Sequence, residues 1–143
     1  DSLFWQAGLG VTFALVDSFD QWKAAFVQGN QEQDFIYLST HAAIKGWEAE
    51  EAKAVVEAHI RVPVFTCEDF MMPFAVLGVT KVAPEHGVWA AQTAKQILAG
   101  RSPGDIPVTR NRQVNLWFNQ GLARQIGFRP DSALERAVQL VTF

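Results

Sequence analysis

Cysteine and tyrosine are almost missing from this chain, with one of each, Cys67 and Tyr37. A lone cysteine excludes an internal disulfide and a cysteine-built metal cluster. Charge is sparse as well, at 19% of residues with a net of −3, and the basic residues are scattered apart from Arg110 and Arg112. No basic stripe is on offer to nucleic acid, so none is expected as a partner. No uninterrupted apolar run reaches the roughly 18 residues of a membrane span. The opening DSLFWQAGLG has neither the basic start nor the cleavage site of an export signal. The three histidines, His41, His59 and His86, have no partner at metal-ligand spacing. Gly8 and Gly10 precede a strand, whereas a dinucleotide fingerprint must follow one. Neither a metal nor a cofactor is therefore expected.

What is present is apolar, 49% of 143 residues, enough for one solid core. Short β-branched or aromatic runs alternate with stretches of helical spacing, the mark of repeated βα units around a parallel sheet. The first strand is expected at Val11 to Val16. Ser18 then caps a helix with Gln21 completing a capping box, with Phe19, Trp22 and Phe26 as its apolar stripe and Gly29 and Asn30 as its end. The second strand, Asp34 to Ser39, is apolar on both faces at its centre, as strands between helical layers tend to be. Its helix spans about Trp47 to Ile60, with Ala52, Val55, Val56 and His59 inward and the acidic Glu48, Glu50 and Glu51 near its N-terminus. A third strand covers Val62 to Thr66. After the irregular CEDFMMP a fourth covers Phe74 to Val79.

Pro84 to Leu98 reads as the clearest helix, with Gly100 as its stop and Trp89, like Trp22, placed in the core. The connector RSPGDIPVTRNRQ precedes a strand at Gln113 to Phe118. A short helix follows, capped by Asn119 and stopped by Gly127, and then a last helix from near Asp131 with Leu134, Ala137, Val138 and Val141 inward. The fold class is α/β, a doubly wound parallel sheet with helices on both faces plus a C-terminal crossing strand and helices.

In an open parallel sheet ligands collect beyond the carboxyl ends of the strands. That rule selects Asp17, Thr40, His41, Thr66, Glu68 and Lys81 as ligand-binding candidates. Their hydroxyl, carboxylate, imidazole and ammonium groups suit a small polar molecule recognised by pairing each group. Cys67 stands beside Glu68 and Asp69, whose charge disfavours a thiolate, so no catalytic role is assigned to it. No nucleophile and base pair, phosphate loop or magnesium-binding acid pair stands at the strand ends, so no enzyme activity is expected.

The stretch TKVAPEHGVWAAQTAKQILAGRSPGDIPVTRNRQVNLWFNQGL at Thr80 to Leu122, with LARQIGFRP at Leu122 to Pro130, is similar to the closing part of ABC-transporter substrate-binding proteins of the type I periplasmic fold. DSFDQWKAAF, DFIYLSTHAAIKGW and VPVFTCEDFMM look like successive βα elements of that family's second lobe. The resemblance implies a two-lobed, periplasmic or extracytoplasmic solute-binding component that closes over a small solute, an amino acid or something similar, and delivers it to an ABC transporter permease. It also implies a ligand-binding lobe at 1–104, and a crossing strand with C-terminal helices at 105–143 that pack on a first lobe lying before Asp1. Exposed C-terminal helices would then allow a homodimer. The alternatives are a periplasmic ligand-sensing domain of a signalling system and a fragment of a doubly wound α/β enzyme.

Overall fold

The chain was analysed as a computed structural model that describes Phe4 and residues 6–142. Helix α1, Phe19–Glu32, starts where Ser18 Oγ accepts the Gln21 N–H at 3.4 Å, and Gln21 reaches back to accept the Asp17 N–H at 3.1 Å. Phe19, Trp22 and Phe26 are all buried, as their spacing predicts. The expected stop at Gly29 and Asn30 is passed by two residues, with the buried Asn30 tied down by its hydrogen bonds. Its Nδ2 donates to Phe26 O at 2.9 Å, and its Oδ1 accepts from Arg61 N at 2.8 Å and Val62 N at 3.3 Å.

Strand β1, Ile36–Leu38, helix α2, Ala49–His59, and strand β2, Val64–Thr66, follow close to their predicted places. Ala52 and Val56 are buried on α2, but His59 is exposed at the end of the helix rather than inward. The CEDFMMP segment forms a 3-10 helix, Asp69–Phe74, so strand β3 begins late and runs over Leu77–Lys81. Thr80 and Lys81 thus end the strand instead of following it.

Helix α3, Ala83–Leu98, forms as predicted and Gly100 ends it with a φ of +95°, but the helix has no buried residue. The placement of Trp89 in the core is corrected: it is 43% exposed, because α3 stands off the sheet together with the returning segment 99–113. Helical periodicity identifies an apolar face, while burial depends on there being something to bury it against.

Strand β4, Val114–Asn119, leads into helix α4, Gln120–Gln125, where Asn119 Oδ1 accepts the Gly121 and Leu122 N–H groups. Asp131 caps helix α5, Ser132–Ala137, in the same way. Val138 and Val141 do not extend α5 as expected. The chain turns instead into strand β5, Gln139–Val141, because β4 offers a free edge beside it.

The sheet has the order β1-β2-β3-β4-β5, with β1, β2 and β3 parallel, β4 antiparallel to β3, and β5 parallel to β4. The β3–β4 register runs from Leu77 opposite Phe118 to Lys81 opposite Val114. The sheet therefore continues across the connector, and Phe118, Leu122 and Ala123 share one core with α1 and α2. Register puts Ile36, Leu38, Val64, Thr66, Gly78 and Thr80 on one face, where Gly29 of α1 lies against Ile36 and Met72 against Gly78. The other face carries Tyr37, Phe65, Leu77, Val79 and Leu140, of which Tyr37, Val79 and Leu140 are exposed.

The strand expected at Val11 to Val16 does not form. The segment has no strand partner among the described residues, and Phe13 and Leu15 are 68% and 92% exposed. Alternation marks a sequence fit for a sheet, but a strand exists only where a neighbour supplies the hydrogen bonds.

Replacing Asn30 with alanine should strand the Arg61 and Val62 N–H groups and cost about 1–3 kcal/mol. The expected result is a lower urea midpoint at an unchanged slope in chemical denaturation.

Candidate functional site

The three parallel strands direct their carboxyl ends the same way, so the loops after β1 and β2 and the end of β3 meet on one rim. On that rim Lys81 Nζ lies 3.5 Å from Glu68 Oε2. The Lys81 side chain is 57% exposed and that of Glu68 29%, so the pair adds at most about 1 kcal/mol to stability and both charges reach solvent. Thr66 is buried, and its Oγ1 accepts the Glu68 N–H at 3.1 Å. Its role in the site is to hold the turn that presents Glu68, because its hydroxyl is already engaged.

The loop after β1 is built by similar local economy. Thr40 Oγ1 accepts the Ala42 N–H at 3.1 Å, and His41 O accepts the Ile44 N–H at 2.9 Å. Asp17 joins it through the backbone, its carbonyl accepting the Lys45 N–H at 3.0 Å, while its side chain stays exposed. The structure therefore brings Thr40, His41 and Glu68 in the loops, with Thr66 and Lys81 at the strand ends, to one rim, with Asp17 behind the first loop.

Two residues of this rim were not selected from the sequence, Trp47 and Phe70. The imidazole of His41 stacks on the Trp47 indole, with centroids 4.6 Å apart and planes 7° from parallel. The Phe70 ring stands edge-on to His41 at 5.4 Å and 81°. His41 and Phe70 thus form an open aromatic corner between the loops after β1 and β2, with Phe70 47% exposed. The signal was present in the sequence, since Phe70 is an aromatic residue in a βα loop, but helical and strand periodicity say nothing about a side chain in a 3-10 turn.

The corner is polar at its edges and apolar in its faces. That arrangement suits a ligand that carries both charge and a flat apolar group, because stacked and edge-on ring contacts add about 0.5–1.5 kcal/mol beyond simple burial. A separate groove of about 250 Å³ lies between α3 and the returning segment, lined by Trp89, Gln92, Arg101 and Ile106 among others. It contains none of the rim residues. Among the described residues no group of three or more His, Cys, Asp or Glu is gathered to hold a metal, and no helix is long and apolar enough to cross a membrane.

Tyr37 lies just behind the rim on β1. Although the residue is more than half exposed, lost hydration on the part of the ring that the protein covers pushes its phenol above the ordinary value of 10.0, and the neighbouring Cys67 and Glu68 add to the rise. A raised folded pKa means that Tyr37 contributes stability fully below the unfolded value and that this is lost as pH climbs through the folded one. Because Tyr37 is the only tyrosine, tyrosinate absorbance should titrate with a midpoint above 10.0, and the melting temperature should fall over the same alkaline range. Replacing His41 with alanine should remove both ring contacts and cost about 1 kcal/mol, read by thermal unfolding.

No curated protein sequence matches the chain. Among solved structures it is similar to a conserved domain protein from Vibrio cholerae, with a TM-score of 0.69 and 19% identity, over 96% of this chain and 46% of that one. It is also similar to an ABC domain in complex with L-Trp from Streptococcus pneumoniae, with a TM-score of 0.65 and 19% identity over 98% and 48% of the two chains. A ligand-free, open substrate-binding protein with adhesive properties from Clostridium difficile gives a TM-score of 0.63 and 16% identity over 99% and 47%. The chain thus spans a little under half the length of these structures, and at such identities the likeness speaks for the fold. The family model for ABC transporter substrate binding proteins matches residues 3–141, and with nearly the whole chain matched this protein belongs to the ABC transporter substrate-binding protein family.

Proposed function

We propose that this chain is one ligand-binding lobe of an extracytoplasmic solute-binding component of an ABC transporter, which hands its solute to the transporter's permease and catalyses no reaction. The observation that carries the proposal is the rim at the strand carboxyl ends. There an aromatic corner, His41 and Phe70, lies among the charged pair Glu68 and Lys81 and the hydroxyl of Thr40. Such a set fits a zwitterionic solute with a flat side group, and an amino acid of that kind is the solute we assign. The L-Trp bound by the similar Streptococcus domain supports the choice of class.

A rim on one lobe is half of an enclosure. Ligand pockets bury most of their ligand's surface, so the opposing wall would come from a second lobe. Two surfaces here are fitted to receive that additional chain. One is the arm formed by α3 and the returning segment 99–113, where Val88, Trp89 and Leu98 of α3 are exposed. The other is the open sheet face at Tyr37, Val79 and Leu140. This reading favours completion by the rest of the same polypeptide over a homodimer of the isolated lobe.

The test is a thermal-shift screen of amino acids, nucleosides and sugars, run on a polypeptide that includes a first lobe beside the lobe alone. A ligand at a hundred times its dissociation constant should add about 2.7 kcal/mol to the longer form. Among amino acids the aromatic ones should give the largest shift. Lys81→Ala should weaken binding about tenfold by loss of a charged partner, and Phe70→Ala about two- to tenfold by loss of a stacking edge. A longer form that no amino acid shifts would overturn the assignment of the solute.

A further inference from the structure

The chain leaves the sheet when β3 ends at Lys81 and returns to it when β4 begins at Val114. Everything between belongs to the arm, whose helix buries nothing. The ladder between the outgoing and returning chains stops at the Lys81–Val114 pair. One side chain acts beyond that point. Glu85, in the first turn of α3, uses both carboxylate oxygens: Oε1 accepts the Arg112 N–H at 2.9 Å and Oε2 accepts the Gln113 N–H at 3.1 Å. Consecutive backbone donors on the returning chain are thus satisfied by a carboxylate on the outgoing one, just where strand pairing gives out.

We infer that Glu85 is a positioning residue that serves as the next rung of the β3–β4 ladder, binding the outgoing and returning crossing segments to each other as one strut at the root of the arm. The chemistry favours an ionised carboxylate there, since an anionic acceptor bonds two N–H groups more strongly than a neutral acid and offers both oxygens. These two bonds hold Glu85 below the ordinary glutamate value of 4.5, with His86 and Arg112 adding to the effect. The charged groups about the root are His86 on α3, Arg110 and Arg112 on the returning segment, and Lys81 with its partner Glu68 at the end of β3. With a depressed folded pKa the strut is at full strength above the ordinary value and is released as pH falls through the lower one. The inference does not depend on what the rim binds, because it concerns only how the two crossing segments are held to each other.

The experiment is amide NMR on the full chain, with Glu85→Gln and Glu85→Ala. In the parent chain the Arg112 and Gln113 amide protons should titrate together in acid with a midpoint below 4.5. In Glu85→Ala their protection against exchange should fall about tenfold, as expected for loss of charged hydrogen bonds, while β1–β3 amides keep theirs. Glu85→Gln should abolish the acid titration and retain part of the protection, and it decides the matter if the alanine variant does not fold. Amides of Arg112 and Gln113 that ignore acid in the parent chain would overturn the inference. Unchanged exchange at Arg112 and Gln113 in a folded alanine variant would overturn it equally.

Discussion

Burial of the Trp22 indole requires three separate pieces of chain to be in place at once. It stacks between Phe19 and Phe26 along α1, meets Trp47 edge-on at 4.8 Å, and reaches Phe74 of the 3-10 helix at 6.5 Å. An aromatic ring of this size brings more apolar area into the core than any aliphatic side chain could. Removing it would separate α1 from the loop after β1 and from the turn after β2. The cluster therefore fixes how the helical layer sits on the buried face of the sheet, and through that the direction in which the loops at the strand ends project.

The same cluster leads outward to the rim. Trp47 is the shared member, packed against Phe19, Trp22 and Phe74 on its inner side and stacked with His41 on its outer side, and His41 in turn meets Phe70. The exposed ring at the rim is thus held by contacts that run without interruption into the core, so the corner is set by packing alone. Preorganisation of this kind reduces the entropy cost of binding. The polar members are held by short-range means instead, Thr66 supporting the Glu68 turn and Thr40 supporting the His41 loop.

Away from this well-packed side the protein is open. The second sheet face and the arm leave large apolar groups in solvent, among them Tyr37, Val79, Val88 and Leu140. Apolar exposure of that kind marks surfaces that meet other chain, which agrees with a chain that spans under half the length of the similar solved structures. The arm closes on itself without a hydrophobic anchor, through polar contacts at its root and its tip. Glu85 closes the root, and Arg101 bonds Gln96 and the Asp105 carbonyl at the tip.

What the sequence by itself determined is whatever rests on neighbours within a turn or two. Ser18, Asn119 and Asp131 begin their helices because a cap needs only the next three backbone N–H groups. Gly100 and Gly127 end theirs because a positive φ is a property of one residue. The βα alternation likewise revealed β1, β2 and the rim at their carboxyl ends, and with them Thr40, His41, Glu68 and Lys81. Tertiary structure decided whatever needs a distant partner. Val11 to Val16 has strand composition but no neighbouring strand, and Gln139 to Val141 became β5 because β4 had an edge to give. Trp89 has the periodicity of a core residue but no core beside it. Phe70 and Glu85 acquire their roles from His41 and from Arg112 and Gln113, residues 29, 27 and 28 positions away. Local hydrogen bonding and backbone preference are encoded residue by residue, whereas pairing and burial exist only between segments that folding has brought together.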